Sequence, residues 1–101
     1  MARTAIHPGE HLKDELEERG ITPTELARQL RVPANRITGI VNGVRGITGD
    51  TALRLGHWFE MSPQFWLNLQ SAYDLRIAEA AVGKAVAKLP TCARSARTGT
   101  R

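Results

Sequence analysis

Apolar residues recur along the chain at intervals of three and four positions, and capping residues interrupt the recurrence at several points. This spacing is typical of amphipathic α-helices, and no strand-like alternation lasts more than a few residues. Helix-start and helix-stop signals therefore predict five helices. They cover about residues 8–19, residue 23 to a break at residue 31, about residues 34–42, about residues 49–59, and residue 63 to about residue 86.

The boundaries of these helices depend on a few residue types with known roles. Thr22-Pro23-Thr24-Glu25 has the form of a capping box with proline at the first helical position. Gly20 and Gly43 are typical helix stops, and Thr48 and Ser62 are typical starts. The prediction is an all-α, five-helix domain over residues 1–86, followed by a disordered basic tail over residues 87–101.

The second and third helices are short and are separated by about three or four residues. This spacing fits a helix-turn-helix better than an antiparallel helical hairpin. Ala27 is small where the two helices must meet closely, and the surrounding apolar positions would hold them at an angle. These positions are Leu26, Leu30, Val32, Ile37 and Ile40. A five-helix domain can also contain this unit without using it to bind DNA.

In a helix-turn-helix the second helix enters the major groove of DNA. Burial of Ile37, Ile40 and Val41 would turn the polar flank of this helix outward. Asparagine pairs with adenine, arginine pairs with guanine, and alanine or threonine contacts the thymine methyl group. The predicted base-reading residues are Ala34, Asn35, Arg36 and Thr38.

Two further positions on the third helix have specific predictions. Gly39 is expected on the outward flank, where it would allow a close approach to DNA. Asn42 is interpreted as the C-cap residue rather than as a base reader.

Contacts to the DNA phosphates are expected from the flanks of the motif. The start of the second helix offers free amides together with Thr22 and Thr24, and Arg45 lies in the loop after the third helix. Arg28 is a further candidate, although an ordinary surface arginine explains it equally well. One such domain makes few contacts, so a dimer on a two-fold symmetric site is expected.

The charge distribution supports a polyanionic partner. The chain has a net charge of +4, and residues 22–56 contain five arginines against two acidic residues. Residues 1–21 contain five acidic residues against three basic ones, and residues 76–101 are basic. A basic zone beside an acidic one suggests DNA plus a second partner that binds acidic surfaces.

Several other classes of protein are disfavoured. The chain has one cysteine, Cys92, no secretory signal and no apolar run long enough for a membrane, so a cytosolic protein is expected. His7 and His11 have no evident third metal ligand, and His57 stands alone. Residues 43–46 mimic a KH loop without the strands that a KH domain needs. Residues 46–51 lack the lysine of a phosphate loop. We expect no catalysis, no metal and no cofactor.

From about residue 6 to residue 77 the chain resembles HigA-type antitoxins of the HigBA toxin–antitoxin modules, within the XRE/Cro-like helix-turn-helix family, and two of the segments that carry the resemblance are distinctive. They are the HPGE motif of residues 7–10 and SPQFWLNLQSAYDLR of residues 62–76. The resemblance implies a lambda-repressor-like fold, a dimeric repressor of its own operon and a partner toxin similar to RelE, an mRNA endonuclease that the protein neutralises. It also implies Asn35, Arg36 and Thr38 as the DNA readers.

The chain departs from the pattern of this family at two positions. Arg31 stands where the turn usually has glycine, so either Arg31 adopts the left-handed conformation or the turn differs. Val44 stands where the loop often has lysine, which removes one phosphate contact.

Two protein-binding surfaces are also predicted. The fifth helix is apolar almost all round, so it needs a second surface to bury into, and Trp66, Tyr73 and Ile77 are the candidates for a dimer interface. A fully buried core helix is the other interpretation. Toxin contacts are expected on the acidic first helix, although a solvated helix face explains the same charges. The candidates are Glu10, Asp14, Glu17 and Glu18.

Two other functions remain open from the sequence. A stand-alone helix-turn-helix regulator would have no toxin, and a small basic protein encoded beside this one would argue against it. A pure interaction protein would have lost DNA binding, and Arg31 and Val44 keep that alternative open.

Overall fold

The computed structural model describes residues 4–92, and all regular structure in that range is helical. The helices are α1 (Pro8–Arg19), α2 (Pro23–Leu30), α3 (Ala34–Val41), α4 (Gly49–Phe59) and α5 (Pro63–Ala87). The predicted all-α, five-helix fold is therefore confirmed, with α3 one residue shorter and α5 one residue longer than expected. Residues 88–92 form no helix or strand, and the rest of the predicted tail, residues 93–101, lies outside the described residues.

Four of the five helices begin with a side chain that caps the first turn. The ring Nδ1 of His7 accepts a hydrogen bond from the Gly9 N–H (2.9 Å), and Pro8 occupies the first helical position of α1. At the start of α2, α4 and α5, the hydroxyl oxygens of Thr22, Thr48 and Ser62 accept the equivalent bond from a backbone N–H. These caps satisfy backbone donors that have no partner within a helix, so each start is encoded locally.

Three helices end in a residue with the left-handed conformation. Gly20 ends α1 (φ 67°), Arg31 ends α2 (φ 60°) and Glu60 ends α4 (φ 56°). In this conformation the N–H groups after the helix bond back to its last free carbonyls. The chain therefore turns sharply at each point, and the connections stay short.

The core lies among the four shorter helices, and α5 packs against it beside α4 and α1. Trp66 is the largest side chain in it and is completely buried. The other buried apolar side chains come from α1, α2, α3, α4 and the loop before α4. They are Leu12, Leu16, Leu26, Ala27, Leu30, Ile37, Ile40, Ile47, Ala52 and Leu55.

The start of α1 approaches α3 without any intervening side chain. A Cβ atom added to Gly9 would lie 1.8 Å from the carbonyl oxygen of Ile40, so only glycine fits this contact. The ring of His7 also meets the ring of Tyr73 edge-on, with 4.9 Å between centroids. The HPGE motif therefore joins α1 to both α3 and α5.

Candidate nucleic-acid interface

Helices α2 and α3 form the predicted helix-turn-helix. The two helices pack on each other, and Ala27 is buried in the same core cluster as Leu26, Leu30, Ile37 and Ile40. Arg31 takes the left-handed conformation with ψ 46°, which is the first of the two possibilities that its position left open. The turn therefore keeps the geometry that glycine usually provides, at some cost in backbone strain.

The outward flank of α3 is open to solvent at its start. Ala34 and Asn35 are exposed, whereas Arg36 and Thr38 are partly buried. Ile37 and Ile40 are fully buried as expected, and Val41 is partly buried. Asn42 is the C-cap residue of α3, as predicted.

Gly39 does not lie on the outward flank, which corrects the prediction for this residue. Its carbonyl oxygen accepts hydrogen bonds from the N–H groups of Val44 (2.9 Å) and Arg45 (3.1 Å). A Cβ atom at Gly39 would lie 3.2 Å from the Cβ of Arg45. The glycine therefore allows the following loop to fold back on α3, rather than allowing α3 to approach DNA.

The loop after α3 is also attached to α5. The Ile47 N–H donates a hydrogen bond to Oε1 of Gln70 (2.7 Å), and Gly46 lies against the same amide group. Arg45 and Val44 are exposed on this loop, so Arg45 stays available for a phosphate while Val44 offers only an apolar side chain.

Arg36 is held by a group that the sequence did not reveal. Its Nη1 donates a hydrogen bond to Oδ2 of Asp50, in the first turn of α4. Arg54, one turn further along α4, donates from Nε to the same oxygen (3.0 Å) and from Nη1 to the carbonyl oxygen of Leu30 (2.8 Å). Asp50 and Arg54 of α4 thus connect α3 to the end of α2.

The two arginines also set the charge state of Asp50. The hydrogen bond from Arg54, followed by that from Arg36, holds the pKa of the Asp50 carboxyl below its usual range. The carboxylate is therefore ionised at neutral pH, and it lies on the same side of the molecule as the predicted DNA readers. No signal in the sequence pairs Asp50 with Arg36, because they are 14 residues apart and on different helices.

The predicted phosphate-binding residues on α2 are only partly free. Thr22 Oγ1 accepts from the Glu25 N–H (3.1 Å), which is one half of the predicted capping box. The Glu25 side chain does not complete the box, because it accepts hydrogen bonds from Arg28 and Gln29 instead. The bond from Arg28 lowers the pKa of Glu25 to about 2. Thr24 is exposed near the start of the helix.

Comparison with known proteins identifies the family. A helix-turn-helix family model matches residues 12–66. Virulence-associated protein I of Dichelobacter nodosus is 53% identical over 76 residues, which are 74% of this chain and 70% of that protein. A HigA-family addiction module antidote protein from Coxiella burnetii is 48% identical, with a TM-score of 0.85 over 88% of this chain and 98% of that one. The chain belongs to the HigA antitoxin family.

A second HigA structure contains promoter DNA. Antitoxin HigA of Pseudomonas aeruginosa, solved with the higBA promoter, is 48% identical, with a TM-score of 0.84 over 88% of this chain and 99% of that one. The similarity extends well beyond the helix-turn-helix and includes most of α5. The resemblance of the HPGE and SPQFWLNLQSAYDLR segments to HigA proteins is thus confirmed over nearly the full described chain.

The acidic residues of this HigA-family protein are divided between two environments on α1. Glu15 is partly buried and pairs with His11 (3.5 Å) and Arg19. The other four acidic side chains of α1 are exposed. They are Glu10, Asp14, Glu17 and Glu18, the candidates for toxin contacts.

The prediction for the dimer interface is wrong at one of its three residues. Trp66 has no exposed surface, because it fills the centre of its own protomer and therefore has no surface to offer to a second copy. Tyr73 is partly buried against His7, and Ile77 is 46% exposed where α5 leaves the domain.

Among residues 4–92, no helix combines the length and the apolar content that crossing a membrane requires.

Proposed function

We propose that this protein is a dimeric, sequence-specific repressor of its own operon and that it neutralises a RelE-like mRNA endonuclease toxin. The observation that carries the DNA-binding part is the open polar flank of α3, with exposed arginines before and after it. Arg31 precedes α3 and Arg45 follows it. The structure of the Pseudomonas aeruginosa relative with promoter DNA supports the same function.

In this proposal the start of α3 enters the major groove. Asn35 pairs with adenine, Arg36 pairs with guanine, and the methyl groups of Ala34 and Thr38 contact thymine. Arg45 and the first turn of α2 bind phosphates on either side of the groove. Two protomers related by a two-fold axis then place two α3 helices in successive major grooves, about 34 Å apart.

Gel shifts with the promoter of the operon test the base readers. The Asn35→Ala/Arg36→Ala double variant should lose about 1–3 kcal/mol per reader and become less selective among sequences. Arg45→Ala should weaken binding to every sequence alike and reduce the salt dependence of the affinity, because only a phosphate contact is lost. Wild-type binding that does not distinguish the promoter from an unrelated duplex would disprove the repressor function.

The toxin-binding part of the proposal rests on α1. A toxin that cuts mRNA needs a basic surface around its RNA site, and an acidic helix complements that surface. The four exposed carboxylates of α1 supply the negative charge, whereas Glu15 is already neutralised within the helix by Arg19.

Charge reversal tests this surface against a matched control. Asp14→Lys/Glu18→Lys should weaken the complex with the toxin encoded beside the gene and leave operator binding intact. Glu60→Lys makes the same type of charge change at the exposed residue that ends α4, outside both α1 and the helix-turn-helix, and should leave both activities intact. Equal loss of both activities in the α1 variant would indicate misfolding. An operon without a small basic toxin would favour the stand-alone regulator.

A further inference from the structure

Arg36 differs from the other predicted base readers in how it is held. Asn35 and Ala34 are exposed at the start of α3, but only 31% of the Arg36 side chain is accessible. Its guanidinium donates to Asp50, whose carboxylate comes from outside the helix-turn-helix. A long, flexible side chain on a surface that must meet DNA is thus fixed before any DNA is present.

Asp50 is itself fixed by two independent interactions. It is the second residue of α4, where the helix dipole and the free backbone N–H groups favour a carboxylate. Arg54 donates to the same Oδ2 atom (3.0 Å) and is tied to the end of α2 through the Leu30 carbonyl oxygen (2.8 Å). Arg54 thus bonds to Leu30 of α2 and to Asp50 of α4, and Asp50 in turn bonds to Arg36 of α3. These hydrogen bonds connect α2, α4 and α3.

This arrangement has an electrostatic disadvantage for DNA binding. Asp50 is 54% exposed beside residues expected to face the phosphate backbone, so its negative charge repels DNA of any sequence. A residue that only increased affinity would not carry this charge. The arrangement is favourable if it improves discrimination between bases, because a guanidinium held in one orientation bonds well only to a base whose acceptors match that orientation.

We propose that Asp50 is a positioning residue that orients the Arg36 guanidinium to read a guanine base. Guanidinium has five N–H donors, so one edge can bond to Asp50 while another bonds to O6 and N7 of guanine. Base specificity would then depend on a residue of α4 that does not itself touch a base. This inference rests on the proposed DNA-binding function.

The test compares Asp50→Ala with Glu25→Ala, a matched control. Each variant removes one arginine-paired carboxylate from the first turn of a helix, α4 or α2. Affinities are measured for the operator, for all its single-base-pair variants and for an unrelated duplex. Arg36→Ala first identifies the base pairs whose identity is read through Arg36.

At those base pairs, Asp50→Ala should lose about tenfold in discrimination and bind the unrelated duplex more tightly. Glu25→Ala should gain general affinity in the same way without losing discrimination. Retained discrimination in Asp50→Ala would overturn the positioning role while leaving the repressor function in place. A wild-type protein without any sequence preference would overturn both.

A second measurement needs no DNA. Nitrogen-15 relaxation at Nε of Arg36 should show an ordered guanidinium in the wild type and in Glu25→Ala, and a mobile one in Asp50→Ala. Equal mobility of Arg36 in the wild type and in Asp50→Ala would also overturn the proposal, because Asp50 would then not restrain the side chain.

Discussion

At Gly9 the first turn of α1 lies directly against the backbone of the recognition helix. A Cβ atom there would come within 1.8 Å of the Ile40 carbonyl oxygen and 2.7 Å of its carbonyl carbon. Backbone atoms cannot rotate away as the end of a flexible side chain can. Any other residue at this position would therefore have to displace α1 from α3.

Substitution of Gly9 by alanine should destabilise the protein by at least about 2 kcal/mol, because overpacking against backbone forces helices apart. Urea unfolding at equilibrium measures the change. Gly49→Ala is the control, since nothing lies within 4 Å of a Cβ atom at that helix start. It should be neutral or stabilising by up to roughly 1 kcal/mol. Similar stabilities of the two variants would contradict the close contact.

Among the helix ends, the turn between α2 and α3 depends on a residue other than glycine in the left-handed region. Arg31 holds a left-handed conformation that glycine adopts without strain. The strain is offset by hydrogen bonds from the N–H groups of Arg31 and Val32 back to the last turn of α2 (3.2 and 3.1 Å). The turn can therefore form without glycine.

Arg31→Gly should raise the free energy of unfolding by about 0.5–1 kcal/mol, because relief of the left-handed strain outweighs the greater freedom of the unfolded chain. Arg31→Ala keeps the Cβ atom and should give no such gain, although it removes the same charge. Thermal or urea unfolding of both variants measures the difference. If alanine stabilises as much as glycine, the charge rather than the backbone is responsible.

Helix boundaries were predictable from the sequence because the signals that set them are local. Thr22, Thr48 and Ser62 each cap a helix within two or three residues along the chain, and only the cap by His7 was not predicted. The same local signals placed the helix-turn-helix and its buried stripe.

Other features were not predictable because they depend on contacts between distant segments. Trp66 fits a dimer face as well as a core until its neighbours are known. Gly39 faces a loop that starts four residues later, and its side of α3 depends on how that loop folds back. Asp50 meets Arg36 only because α4 packs beside α3. Sequence periodicity carries no information on such pairs.

At the scale of the whole molecule, α5 is longer than the domain that it supports. The described chain measures 54 × 27 × 22 Å, and nearly all side chains from residue 77 to residue 87 are exposed. One face of this outer part is an apolar strip with helical spacing. The strip consists of Leu75, Ala78, Val82 and Val86, and Ile77 lies on the opposite side of the helix.

We expect the apolar strip to form the interface of the proposed dimer. Val82→Glu should therefore convert the dimer to a monomer, because it places a charge in the middle of this strip. Sedimentation equilibrium measures the mass, which is 11.1 kDa for one protomer. Ala80→Glu changes an exposed residue on the opposite side and should leave the dimer intact. The reverse result would favour the face that contains Tyr73 and Ile77.

The bare backbone contact between Gly9 and Ile40 would also affect how the proposed operator and the proposed toxin share one protomer. Because no side chain lies between them, a displacement of the start of α1 would press directly on the backbone of α3. A toxin that displaced the start of α1 would therefore alter the fit of α3 in the proposed DNA groove. Binding free energies are reciprocal, so any affinity that the operator loses in this way is lost equally by the partner. The occupancy of the promoter would then fall as the concentration of the toxin in the cell rises.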